Sequence, residues 1–148
     1  MARARIGVWL VGARGGVATT SVLGLTALRK GLAGHQGLVS QLPLFEDLQL
    51  ASWKDFAVGG HDIRPTSLLA EAEKLHQVSR ALDEGLIARC KSDLQKIDRN
   101  IRPGILFNVG RTIEGLAAEE LRDVDETPRQ AIARVQQDLN EFVAEQGV

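Results

Sequence analysis

Apolar residues run along this chain in blocks whose rhythm alternates between short continuous runs and three- or four-residue steps. Ile6-Gly-Val-Trp-Leu-Val11 is a compact run rich in β-formers and ended by Gly12, which predicts a strand buried on both faces of a parallel sheet. From Val17 to Lys30, Val22, Leu25 and Leu28 recur at three-residue steps until Gly31, predicting a helix. The rhythm then lapses as far as Lys54, where Gly31, Gly34, Gly37 and Pro43 predict a long surface connection. Asp55-Phe-Ala-Val58 predicts a short second strand that stops at Gly59-Gly60, and Pro65 opens a helix with Leu68, Leu69, Ala72 and Leu75 on its apolar face. Leu82, Leu86, Cys90, Leu94 and Ile97 predict another helix over Ala81 to Arg99. After Pro103-Gly104, Ile105-Leu-Phe-Asn-Val109 is the third candidate strand. An acidic, irregular stretch from Gly110 to Pro128 allows a helical turn or two around Glu114 to Leu121. Ile132, Val135, Leu139, Phe142 and Val143 then share one face of a last helix, Arg129 to Gly147.

Strands alternating with helices predict an α/β fold, a Rossmann-like parallel sheet with flanking helices. It is incomplete: about three strands are visible, where doubly wound nucleotide-binding sheets carry about five or six. A helix capped by glycine and followed at once by Val148 has the form of a crossover feeding a further strand. Residues 1–148 are therefore expected to be the amino-terminal part of a larger cofactor domain. The 148 residues, 44% hydrophobic and 25% charged, suit one folded core and not a disordered chain. A formal net charge of -1 supplies no basic field for a phosphate backbone, which argues against nucleic acid as a partner. The lone Cys90 has no internal disulfide partner, and neither an export signal nor an apolar stretch of membrane-spanning length is evident, so a soluble cytoplasmic protein is expected.

The segment with the most chemistry is Val11-Gly-Ala-Arg-Gly-Gly-Val-Ala-Thr-Thr20, between the first strand and the first helix. Glycines let the backbone turn sharply and admit a pyrophosphate, while free N–H groups and the helix dipole favour the anion. The spacing is Gly-x-x-Gly-Gly and not Gly-x-Gly-x-x-Gly, so the strand and helix around it carry much of the signal, and a plain glycine turn is the alternative. A nucleotide triphosphate loop is rejected because the Lys-Ser or Lys-Thr pair it needs is replaced by Val-Ala-Thr-Thr. The acidic residue expected about twenty positions on, to hold a ribose hydroxyl, is missing between Gln36 and Leu44. Glu46 and Asp47 read as solvated, and Asp62 is the better candidate.

Leu10-Val11-Gly12 with Gly15-Gly16 resembles the glycine-rich fingerprint of inositol-3-phosphate synthases, and Val58-Gly59-Gly60-His61-Asp62-Ile63 is similar to that family's Gly-Gly-Trp-Asp-Ile. Pro43, Phe45 and Leu48 lie between them, where the family has a comparable Pro-x-Phe-x-x-Leu element, and the last helix also resembles the family's. The resemblance runs along nearly the whole chain, most weakly from Ser79 to Thr127. It implies a domain that holds NAD, with Gly12, Ala13, Arg14, Gly15, Gly16 and Val17 around the pyrophosphate and Asp62 on the nucleoside side. It further implies conversion of glucose 6-phosphate to inositol 3-phosphate by oxidation with NAD, internal aldol closure and reduction by the NADH just formed. A homo-oligomer, a tetramer, is implied as well. The lysines and neighbouring carboxylate that transfer protons in the family fall beyond Val148, so no catalytic residue is assigned and the chain alone is expected to be inactive.

Departures from the family pattern bear on individual contacts. Val17, Ala18 and Thr19 replace two asparagines and a glycine found in many members, and His61 replaces the tryptophan, weakening the stacking or burial expected beside the adenosine. Arg14 is an addition that either meets a phosphate, including the extra one of NADP, or is a solvated turn residue. Cys90 reads as a buried structural thiol, and His35 and His76 as surface residues with no metal-type partners. Asn108-Val-Gly-Arg-Thr112, after a candidate strand, is a possible ligand loop, and the run Glu119, Glu120, Asp123, Asp125, Glu126 a solvated face. Two rivals stay open: an ordinary NAD-dependent dehydrogenase domain, and a nucleotide-sensing or assembly module without chemistry.

Overall fold

Strand β1 (Ile6–Val11) pairs in parallel with β2 (Phe56–Asp62) along its full length, Ile6 opposite Phe56 and Val11 opposite His61. On the other side of β2 lies β3 (Ile101–Pro103), also parallel, with Gly60 opposite Ile101 and Asp62 opposite Pro103. The computed structural model describes residues 5–148 and contains this one sheet in the order β1-β2-β3. Side chains alternate across a strand. Val8, Leu10 and Val58 therefore point to one face, where they meet Val22, Leu23 and Ala27 of α1 (Gly16–Arg29), with Leu68 and Ala72 of α2 (Leu68–Ser79) and Ile87, Cys90 and Leu94 of α3 (Glu84–Asp98) completing the core. The other face carries Trp9 and Gly59 and is covered by α6 (Pro128–Gln146), whose buried Phe142 meets Trp9 edge-on at 5.1 Å between ring centroids.

Polar side chains at helix starts decide where the helices begin. Ser67 accepts from the Ala70 N–H and Asp83 from the Leu86 N–H, so α2 begins after Pro65 and not at it. Thr127 and Gln130 cap α6 reciprocally with Pro128 in its first turn, and Gly147 ends it at φ 62°. The connection from 31 to 54 is irregular as expected, with three single 3-10 turns, and Arg29 ties its end down by donating to the carbonyls of Trp53 and Phe56. In the acidic stretch α4 (Arg111–Glu114) and α5 (Glu119–Arg122) are one turn each.

Three expectations are corrected. The second strand does not stop at the glycine pair but runs through it to Asp62, because the glycines let neighbouring layers close on it. A Cβ on Gly60 would fall 2.2 Å from the Leu10 carbonyl oxygen and 2.7 Å from Ala13 Cβ. The third strand is Ile101–Pro103 and not Ile105–Val109. The chain reaches the sheet as soon as it leaves α3, with the Asn100 carbonyl accepting from Gly60 N–H and its side chain donating to the Val58 carbonyl, and Gly104 then donates to the Asp62 carbonyl as the ladder ends. Finally, β1 is not buried on both faces: Ile6 is exposed, Val11 is 90% exposed, and among the described residues no strand pairs with the outer edge of β1. On α6 likewise, Ala131 and Phe142 are buried while Ile132 and Val143 are exposed.

Two glycine substitutions should separate close approach from helix propensity. Gly60→Ala is expected to cost about 3 kcal/mol or more through backbone displacement. Gly24→Ala, inside α1 with nothing within 4 Å of the added carbon, should instead stabilise by about 0.5–1 kcal/mol. Urea denaturation of both variants measures the contrast.

Candidate functional site

The turn after β1 is held by the carboxyl end of β2. Gly12 N and Ala13 N both donate to the His61 carbonyl at 2.9 and 3.0 Å, Arg14 N donates to Asp62 Oδ2 at 2.6 Å, and Gly15 N donates to the Gly12 carbonyl at 2.8 Å. Gly12 makes the bend at φ +78°, in the left-handed region where a side chain would be strained. Four successive N–H groups are thus used inside the protein. Thr19 N returns to the Gly15 carbonyl, so the amides of Gly16, Val17 and Ala18 are left at the open start of α1 without an acceptor among the described residues. A row of free amides at a helix start is the geometry that suits an anion. Gly12, Ala13, Arg14 and Gly15, expected around the pyrophosphate, lie in this same turn but shape it, their own amides being engaged.

Asp62 braces the turn from below. Its carboxylate is 2% exposed, Oδ2 taking the Arg14 N–H and Oδ1 the Arg64 N–H at 2.9 Å and Arg64 Nε at 3.3 Å. Burial alone would push its pKa up, yet the hydrogen bonds from the Arg64 and Arg14 amides, with the Arg64 guanidinium, outweigh burial and hold the carboxyl below its usual value. Arg14 is neither a solvated turn residue nor a free phosphate ligand. Its guanidinium grips Asp98 through two nitrogens at 3.0 and 3.3 Å, and Asp98 also accepts from the Leu68 N–H, so one carboxylate joins the turn to the ends of α2 and α3.

His61, expected beside the adenosine, faces α6. The Trp9 indole donates to His61 Nδ1 at 3.0 Å, and since an indole N–H can only donate, the ring proton rests on Nε2 and is given to Asp138 at 2.8 Å. The ring is a strut between sheet and helix. Two crevices open at the carboxyl edge of the sheet. One, of about 530 Å³, is bordered by Val11, Gly12, Gly15, Ile63 and Ile105; the other, of about 590 Å³, reaches Pro103, Leu121 and Val124, and Arg64 lines both. Leu121, Val124 and Arg64 were not singled out from the sequence. The signal for the first two was apolar residues inside a charge run read as wholly solvated.

The family described as myo-inositol-1-phosphate synthase, defined on an NAD-binding domain, matches residues 6–148. This chain belongs to the myo-inositol-1-phosphate synthase family. A myo-inositol-1-phosphate synthase-related protein from Thermotoga maritima MSB8 is similar in fold, with a TM-score of 0.56 and 23% identity, over 93% of this chain and 32% of that one. The chain thus spans about a third of that relative's length. No curated protein matches it.

NAD is the cofactor of this myo-inositol-1-phosphate synthase family domain, and the residues present fit it: a glycine bend, three free amides at a helix start and two crevices beside them. The remaining candidates lie elsewhere. Cys90 is fully buried in the core, and burial pushes its thiol up, as suits an inert group. His35 is exposed, whereas His76, expected at the surface, is half-buried with Nδ1 2.7 Å from the Leu82 carbonyl. Asn108 to Thr112 follows coil, not a strand, and borders neither crevice. Glu126, in the acidic run, pairs with Arg134 at 2.7 Å, while no cluster of potential metal ligands occurs among the described residues.

Because the folded-state pKa of Asp62 is depressed, its contribution to stability is complete above the ordinary value of 3.8 and is lost as pH falls through the lower folded value. Asp62→Asn sets an amide N–H₂ against a backbone donor. It is expected to cost about 1–3 kcal/mol at neutral pH and to flatten the loss of stability below about pH 4. Denaturant midpoints across acid pH measure both effects.

Proposed function

We propose that this chain supplies the NAD-binding part of an enzyme that converts glucose 6-phosphate to 1D-myo-inositol 3-phosphate. The observation that carries the reading is the row of unpaired amides at Gly16, Val17 and Ala18, presented at the carboxyl edge of a parallel sheet in a chain of this family. Those amides would receive the pyrophosphate, with Gly12 keeping the approach free of side chains and Asp62 fixing the turn from beneath the nucleoside side. NAD held there would supply hydride transfer in both directions, oxidation of the sugar and reduction of the ring-closed product, so that the net reaction would be an isomerisation.

What this chain's residues do is bind and orient. The carboxylates nearest the glycine turn, Asp62 and Asp98, are each held by an arginine, and no lysine borders either crevice. Neither carboxylate is assigned a proton transfer to or from the sugar. A soluble, cytoplasmic tetramer belongs to the same proposal. Among the described residues no helix is long and apolar enough to cross a membrane.

The test is to supply glucose 6-phosphate and NAD to the whole enzyme of which this chain is the proposed NAD-binding part, following the sugar by phosphorus NMR and NADH by absorbance. Inositol phosphate should form without net NADH. NADH accumulating in step with an oxidised sugar phosphate would instead make the protein a dehydrogenase.

A further inference from the structure

Of the three arginines that line the crevices, Arg134 is paired with Glu126, and the other two differ in their situations. Arg14 is fully engaged with Asp98, whereas Arg64 is loosely held: Nε lies 3.3 Å from Asp62, Nη1 lies 3.8 Å from Glu71, and Glu71 also faces Lys74 at 3.9 Å. Arg64 Nη2 is shut away from water with no acceptor among the described residues. A buried, unpaired guanidinium N–H is costly, and it is relieved if the group turns outward to an anion.

Placement indicates which anion. Arg64 stands two residues past the carboxyl end of β2, where dinucleotide folds read the adenine-side ribose: a carboxylate accepts from the 2′-hydroxyl in NAD sites, and an arginine accommodates the 2′-phosphate in NADP sites. A Cβ on Gly15 would lie 3.8 Å from Arg64 Nη2, so the guanidinium borders the turn that leads to the free amides at the start of α1. Arg64 also lines both crevices, the one beside the glycine turn and the more distant one walled by Pro103, Leu121 and Val124. It therefore sits between the place for phosphates and an apolar place for a base. Asp62, the carboxylate at this level, also borders both crevices, but it is 2% exposed and already accepts from two backbone amides and the Arg64 guanidinium, so the guanidinium is the more available of the two groups. Of the other carboxylates on the second crevice, Glu126 is paired with Arg134 and Asp138 with His61, leaving Glu120 exposed on α5.

We propose that Arg64 lets this site accept a 2′-phosphorylated dinucleotide, NADP as well as NAD, with its guanidinium meeting the 2′-phosphate. The proposal rests on the dinucleotide reading of the site. The nucleoside half of that site is built from β1, the glycine turn and the end of β2, so adenosine nucleotides are the probes. The isotope-labelled chain is titrated with 5′-AMP and with adenosine 2′,5′-bisphosphate and followed by NMR, including the Arg64 Nε–H signal. The bisphosphate is expected to bind roughly tenfold or more tighter than AMP, and that ratio should fall to near one in Arg64→Ala. Should Arg64→Ala not fold, Arg64→Gln, which keeps the stem and a donor toward Asp62, is read in the same way. Equal affinities in the unaltered chain would overturn the proposal and leave the dinucleotide reading standing. A ratio that survives the substitution, or a substitution that weakens both ligands alike, would also overturn it, the latter placing the guanidinium on the 5′-phosphate. Failure of both nucleotides to bind would remove the dinucleotide reading together with the proposal.

Discussion

A single carboxylate, that of Asp62, ties the end of the central strand to the turn that follows its neighbour. Parallel pairing alone aligns β1 and β2, but it says nothing about how the chain leaves β1. The His61 carbonyl takes two amides of the turn and the Asp62 side chain takes the next, so the path from Val11 to Gly15 is set by β2 and the start of α1 is aimed by it. Held in this way by contacts within the protein, the turn directs three amides outward at the start of α1. Preorganisation of that kind means a bound anion meets donors already in position.

Around this brace the charged groups divide into those that build and those that remain available. Arg14 with Asp98, and Arg134 with Glu126, close the seams between helices and sheet, each as a two-nitrogen grip on one carboxylate. His61 joins sheet to α6 by a neutral route, with Trp9 fixing which ring nitrogen carries the proton. Arg64 is the exception, since the seams leave it only long contacts.

Much of this was legible in the chain. The glycine-rich turn could be placed because a β-rich run precedes it and a three-residue apolar rhythm follows, and both α1 and α6 fall within a residue or so of expectation. The third strand was not legible: three residues, one of them proline, have no period, and its place depends on where α3 delivers the chain. Nor could the sequence say which amides stay free, because that follows from contacts between Arg14 and Asp62, or Arg14 and Asp98, that are remote along the chain. His61 was misplaced for a simpler reason. Likeness to a family motif suggested the adenosine, whereas strand alternation puts residue 61 on the same face as Gly59, toward α6.

The bare outer margin of β1 has its own consequence. Ile6 to Val11 is an unbroken apolar ribbon with neither proline nor charge to deter a neighbour, and its outward backbone groups find no strand partner among the described residues. Val148 lies against Gly7 beside it, so α6 returns the chain close to this strand. A margin of that sort is adhesive. Any β-segment laid along it would meet a row of main-chain donors and acceptors already aligned to pair with it.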